Sequence, residues 1–310
     1  MNPDRWPARL VLALLLTLAL GASQAAQDPI MVGFSQDTFG NDWRLTQVRE
    51  LEQAFASLPG YRLVVTNGMG NTAKQIGDIE DLLRLPVDIL IASPRDAHAM
   101  TPVLAKAYRA GTPVILLTRT IASNDYTTLI AADDAQIARD AAHHMVQMLK
   151  GRGTILMLQG VPSASTAVVR TEAFEQALKP HPQLRISARK VANYLRADAV
   201  RAVEEVLAEQ IPFDAIYAQS DSMASGARVA LKKAGIDPAS KLIVGIDYIR
   251  EAQEAIRGGE QAASFLYPTC SREAGEAVKT IAPGKRLSKR IVVDSQKITR
   301  ANVERVSPIF

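Results

Sequence analysis

The sequence predicts an α/β fold made of two doubly wound, parallel-sheet lobes. Three observations carry that expectation. Short, β-rich apolar runs alternate with longer amphipathic segments along nearly the whole chain. The predicted strands are continuously apolar, as strands covered on both faces are. Their number is too high for one six-stranded sheet, and 310 residues suffice for two units.

The run IMVGF (30–34) is apolar throughout and ends on Ser35 and Gln36, so it reads as a buried strand. Leu45, Val48, Leu51 and Phe55 recur at helical spacing across 43–58, and Pro59-Gly60 stops that helix. The alternation continues with strand 62–66, helix 72–83, strand 88–92, helix 100–109 and strand 113–117. A second series follows: helix 135–149, strand 154–159, helix 169–178, strand 184–190, helix 197–209, strand 215–218, helix 223–234 and strand 242–245. Strands separated by helices at this spacing imply right-handed crossovers between parallel neighbours. No fixed-period repeat or low-complexity stretch interrupts them.

Composition narrows the function. A formal charge of +4, spread without a basic run, is no footprint for nucleic acid. One cysteine, Cys270, cannot form an internal bridge. At the N-terminus, Arg5 and Arg9 precede the apolar run LVLALLLTLAL (10–20), and Ser23-Gln24-Ala25 supplies the small residues of a cleavage site. This reads as a signal peptide over 1–25, cleaved near Ala25, with the mature chain exported to the periplasm. The rival is an uncleaved anchor, although the run is short of the roughly 20 residues that cross a bilayer. No cysteine follows the run, so a lipid anchor is not expected. Loss of Arg5, Arg9 and Asp4 takes the formal charge from +4 to +3.

In open α/β sheets ligands bind beyond the carboxyl ends of the strands. That rule selects 35–44, 93–96, 118–119, 159–166, 192–194, 219–221 and 247–248 before any family is considered. These segments hold a Trp, several Arg, Tyr, Asp and Ser: aromatic faces for C–H surfaces, and charged planar groups for hydroxyls. That chemistry suits a small polyhydroxylated ligand.

Other motifs carry less. Gly68-Met69-Gly70-Asn71-Thr72-Ala73 matches a dinucleotide loop, but follows the second strand and reads better as a turn and helix cap. His143 and His144 are adjacent on a helix and diverge by about 100°, so they make a poor metal pair. No zinc-protease, nucleophile-elbow or Cys–His arrangement stands out. No enzyme activity, cofactor or metal is expected.

Six segments in order resemble the periplasmic sugar-binding proteins of the ribose/galactofuranose type, which share the ligand domain of lactose-type repressors. They are VGFSQDTFGNDWR (32–44), VDILIASP (87–94), GTPVILLTR (111–119), LQGVPSASTAVVRTEAF (158–174), AQSDSMASGARVALKKAG (218–235) and IVGIDY (243–248). A repressor is disfavoured, because an export signal stands where a DNA-binding headpiece would be. The segment ASFLYPTCSREAGEA (263–277) is more similar to relatives that feed a sensor kinase.

The resemblance implies the type I periplasmic binding fold, with a three-stranded hinge crossing near 130–133, 262–264 and 288–290. The first lobe would comprise 26–131 plus 264–288, and the second 132–263 plus 289–310. It implies ligand contacts from Ser35, Trp43, Arg44 and Arg119 in the first lobe, and from Tyr194, Ser220, Asp221 and Asp247 in the second. For Asp221 and Asp247, helix capping alone is the competing reading. The implied partners are a sugar-like ligand and an ABC permease, or alternatively a sensor kinase or chemoreceptor; the protein itself would be a monomer. Departures from the pattern are Thr118 where relatives carry Asp, Ser220 where Asn is common, Val168 where an arginine is often present, and Tyr267-Pro268-Thr269 where a late Gln is usual. A less hydroxylated or modified ligand is therefore open.

Overall fold

The computed structural model describes residues 28–310, and the expected signal peptide and cleavage site lie outside the described residues. The first lobe opens with β1 (Ile30–Gln36), α1 (Asp42–Ala56), β2 (Tyr61–Asn67), α2 (Thr72–Arg84), β3 (Ile89–Ser93), α3 (Thr101–Arg109), β4 (Val114–Leu117) and β5 (Thr128–Ala131). The second holds α4 (Asp134–Met148), β6 (Gly153–Gln159), α5 (Ser165–Leu178), β7 (Leu184–Val191), α6 (Arg196–Ala208), β8 (Ala215–Ala218), α7 (Asp221–Lys233), β9 (Leu242–Asp247), α8 (Arg250–Gly258) and β10 (Ala263–Leu266). The chain then returns through α9 (Ser271–Ile281) and β11 (Arg290–Val292) before ending near β12 (Lys297–Thr299).

The two sheets repeat one topology. The first runs β11-β5-β4-β3-β1-β2 and the second β12-β10-β9-β8-β6-β7. All pairs are parallel except β12, which runs antiparallel to β10. Each sheet is covered on both faces. In the first lobe Phe34, Ile91 and Ile115 meet α1 and α9 on one side, while Leu90 and Leu116 meet α2 and α3 on the other. This double coverage is why the strands are apolar at nearly every position.

Strand pairing moves two of the expected hinge crossings. β10 pairs with β9 through Ala263 and Val244, so 263–266 belong to the second sheet and the crossing falls at 267–270. β11 pairs with β5 through Arg290 and Leu129, which draws 290–292 into the first sheet and puts the last crossing at 293–296. The first crossing, 132–133, lies within the expected 130–133. Strands of three or four residues have too little periodicity to be located from sequence. α5 also begins at Ser165, earlier than the apolar spacing suggested.

Local signals explain several boundaries. Asn41 caps α1 by accepting from the Arg44 amide, and Asn71 caps α2 by accepting from that of Lys74. The glycine loop at 68–73 is thus a turn and cap. Its Gly68 and Gly70 amides donate to the Gln36 and Asp37 carbonyls and fix the end of β1.

Close helix packing in the second lobe depends on Gly226. A Cβ there would lie 2.3 Å from the Arg196 carbonyl oxygen and 2.9 Å from Ala199 Cβ. Gly226→Ala should therefore push α6 from α7 and cost about 1–3 kcal/mol, read as a lower urea midpoint. An unchanged midpoint would show that this contact is not tight.

Candidate ligand-binding site

The carboxyl ends of both sheets face one another across a cavity lined by residues of both lobes. The lobes are closed over it. Asn41 Nδ2 donates to the Tyr194 carbonyl at 2.6 Å, the Ala97 amide to the Ser163 carbonyl at 3.0 Å, and the Thr120 amide to Ser165 Oγ at 2.9 Å. Arg196 reaches Asp42 across the rim at 3.4 Å.

On the first-lobe wall, Arg119 Nη1 donates to Asp37 Oδ2 at 2.8 Å, and Arg44 Nε stands 3.6 Å from Asp37 Oδ1. Burial opposes the Asp37 charge, but Arg119, Arg44 and Arg95 outweigh it and hold the carboxyl below its usual range. Arg44 Nη1 reaches Ser93 Oγ at 2.8 Å and Thr118 Oγ1 at 3.2 Å. Burial and the neighbouring Arg119 push the Arg44 pKa down to about 10. Trp43 crosses the cleft: its Nε1 donates to the Tyr267 carbonyl at 3.0 Å, and its ring joins the second-lobe apolar cluster containing Phe174 and Tyr217.

On the opposite wall, Arg170 donates from Nε to Asp134 Oδ1 at 2.7 Å and from Nη1 to the Gln219 carbonyl. Burial works against its charge, and Asp134 more than offsets that, raising the Arg170 pKa. Tyr194 lies over Gly160, where a Cβ would fall 1.9 Å from the ring, and its hydroxyl meets Thr166 Oγ1 at 3.0 Å. The Arg119 guanidinium sits 5.6 Å from the Tyr194 ring centroid, a cation–π contact between lobes. Asp247 also lines the cavity; the Asp221 backbone N–H supports its carboxylate, and no side chain donates to it among the described residues. Burial raises its pKa well above the usual carboxylate value, against the pull of Arg170.

Backbone strain gathers here. Thr118, Asn193, Tyr194, Asp247 and Tyr248 all have positive φ, as does Cys270 on a crossing. Each such residue costs on the order of 1–3 kcal/mol and persists because its surroundings over-determine it. Strain of this kind re-aims side chains at strand ends.

Six of the eight expected contacts line the cavity: Trp43, Arg44, Arg119, Tyr194, Ser220 and Asp247. Two do not. Ser35 is fully buried within β1 with an unpartnered hydroxyl. Asp221 lies behind the wall, where its carboxylate accepts from the Tyr248 amide at 2.7 Å, Gln261 Nε2 at 2.7 Å and Ser264 Oγ. Neither aspartate is a helix cap: Ser220 caps α7, accepting from the Met223 amide, and Ile249 precedes α8. Sequence reasoning did not single out Asp37, Arg170 or Tyr267. Asp37 restores the carboxylate beside Arg119 that Thr118 leaves out, from 82 positions away. Val168 is exposed on α5, while Arg170, two positions on, faces the cavity.

Residues 32–282 match the periplasmic binding protein domain family. The chain belongs to this family. It is 32% identical over 292 residues to the ribose import binding protein of Haemophilus influenzae, covering 94% of this chain and 98% of that one. It is 28% identical to the galactofuranose-binding protein of Escherichia coli, covering 87% of each. Among solved structures, the fructose-binding periplasmic domain of a hybrid two-component system superposes with a TM-score of 0.84 at 28% identity, over 89% of this chain and 92% of that one. These likenesses bear out the two-lobed fold and the resemblance to ribose and galactofuranose binding proteins.

The two aspartates should separate experimentally. Asp221→Ala removes the shared acceptor of three buried donors, of which the Tyr248 amide keeps Ser264 Oγ and Gln261 Nε2 keeps the Ala263 carbonyl, and should cost roughly 1–3 kcal/mol of stability. Asp247→Asn should instead raise the ligand-free melting temperature at pH 7. A raised folded-state pKa means that Asp247 loses stability for the protein as pH rises above 3.8, so this gain should shrink towards pH 4. A lower melting temperature at pH 7 would refute the ligand-facing role. Asp221, pushed up to about 6 by burial, should likewise make the wild type less stable as pH climbs from 3.8 to about 6.

Gly160→Ala should displace the Tyr194 ring and weaken ligand binding by roughly 1–3 kcal/mol while the chain stays folded. Calorimetry showing unchanged affinity would remove Tyr194 from the site.

Proposed function

We propose that this protein is an exported, monomeric, non-catalytic receptor that closes around a small sugar-like ligand in the periplasm and presents it to an ABC permease. The observation that carries this reading is the Asp247 carboxylate, which lines the inter-lobe cavity with no side-chain donor among the described residues. A buried acceptor of this kind requires a partner, and neighbouring ligand hydroxyls supply two protons to one carboxylate. The arginines of both walls complement ligand oxygens, and Tyr194 and Trp43 present ring faces to its C–H surface.

The two relatives support a binder rather than a catalyst, since each is a binding protein by name. Cys270 is a poor nucleophile, because burial raises its pKa. Contacts from both lobes explain how binding becomes a signal: a ligand that touches both walls stabilises the closed form, and a membrane partner reads closure.

Sensor-kinase coupling is the second reading. It is favoured by the likeness to the two-component fructose-binding domain.

The mature chain would retain Trp43 as its single tryptophan, Trp6 lying in the leader. Titration with D-ribose, D-fructose, D-galactose, L-arabinose and myo-inositol should give saturable one-to-one binding, with a change in Trp43 fluorescence and a higher melting temperature. If neither these compounds nor deoxy sugars such as D-fucose, L-rhamnose and 2-deoxy-D-ribose alter either signal, the sugar-receptor reading fails.

A further inference from the structure

We propose that Trp43 and Tyr267 determine the specificity of this site by forming a corner that accepts only carbon, so that the ligand is a deoxy sugar bound in preference to its hydroxylated parent. This rests on the sugar-receptor reading and adds the ligand's chemical class.

The corner stands at the hinge end of the cavity, where Tyr267 begins the second crossing. Every polar group in it is occupied by protein. Trp43 Nε1 donates to the Tyr267 carbonyl at 3.0 Å. The Tyr267 amide donates to the Asp247 carbonyl at 3.2 Å. The Tyr267 hydroxyl lies 3.2 Å from Asp134 Oδ2 and 3.5 Å from the Thr118 carbonyl, so its single proton has acceptors within the protein. Asp134 is itself engaged by Arg170 through its other oxygen. Burial, then the Asp134 charge, keeps the Tyr267 phenol protonated by raising its pKa well above the ordinary value.

The rings meet at 5.8 Å between centroids with a 60° tilt, and guanidiniums cover them at 5.0 Å (Arg44 on Trp43) and 4.6 Å (Arg170 on Tyr267). Both side chains are under 5% exposed, at 4% and 3%, and pack into the second-lobe core. The rest of the cavity differs: Asp247 has no side-chain donor, and the hydrogen bonds of Arg44 and Arg170 leave Nη2 on each without a protein acceptor among the described residues.

A hydroxyl pressed against the corner would leave water and gain no free donor from Trp43 or Tyr267, whereas a methyl, methylene or ring C–H edge would gain ring contact. Apolar pockets reject an added hydroxyl by at most about a hundredfold. A preference of roughly tenfold to a hundredfold is therefore expected.

Calorimetry on the mature chain with matched pairs decides this: D-galactose and D-fucose, L-mannose and L-rhamnose, D-ribose and 2-deoxy-D-ribose. The expected result is that the deoxy member of at least one pair binds roughly tenfold or more tighter than its parent. Tyr267→Gln, which places an amide donor and acceptor at the corner, should bring that ratio to about one or below, while Tyr267→Phe preserves it. Parents that bind as tightly as their deoxy partners in every pair overturn the inference while leaving the sugar reading intact. So does a ratio unmoved by Tyr267→Gln. If that variant does not fold, the wild-type ratios still decide. Absence of binding by all six sugars overturns the sugar reading and this inference together.

Discussion

Three arginines share a cavity closed off from bulk water, and two carboxylates, Asp37 and Asp134, allow them to remain charged there. An isolated guanidinium in such a place would carry several kcal/mol of desolvation cost, and removal of one partner from a buried pair is strongly destabilising. The Asp37 cluster belongs to the first lobe and the Asp134–Arg170 pair to the second, so the arginines of each wall have a carboxylate partner within their own lobe. Asp247 differs: its carboxylate has no side-chain hydrogen-bond donor among the described residues and is disfavoured as an anion by burial. Asp247 thus offers the cavity a carboxylate that no side chain satisfies among the described residues.

The double-sheet architecture makes that arrangement possible. Both sheets point their carboxyl ends at one cleft, and positive-φ residues at those ends turn side chains inward. Three crossings connect the lobes, and the second begins at Tyr267, which ties together groups from both sides. It accepts from Trp43 of the first lobe through its carbonyl, and its hydroxyl meets Asp134 of the second. Movement at that crossing and rearrangement of the ligand walls are consequently coupled through one residue. Direct contacts between lobes, such as Asn41 with the Tyr194 carbonyl, add stability to the closed form beyond what the ligand contributes.

Much of this was legible beforehand. The alternation of apolar runs and amphipathic helices located the long elements, because double coverage of a parallel sheet leaves a strong compositional trace. The strand-end rule selected the segments that hold most of the cavity wall, including those carrying Asp37 and Tyr194. Legibility stopped where a residue's role depends on what approaches it from elsewhere in the chain. Asp221 and Asp247 look alike in sequence, each beside the end of a strand, yet one is consumed by Tyr248, Gln261 and Ser264 and the other is left open. The short strands β10, β11 and β12 escaped for a different reason, since pairing rather than pattern assigns three or four residues to a sheet.

What the sequence by itself determined is the fold class, the order of most elements and the set of loops that could face a ligand, because hydrophobic periodicity and chain direction are local properties that survive without coordinates. Only the tertiary structure decided which polar groups have partners. That Asp37 stands in for the acid missing at position 118, that Arg170 is fixed by Asp134, and that Trp43 and Tyr267 keep no free donor are all matters of contact between residues tens to hundreds of positions apart. Hydrogen-bond saturation depends on distances of a few ångströms, and no spacing along a chain encodes them directly.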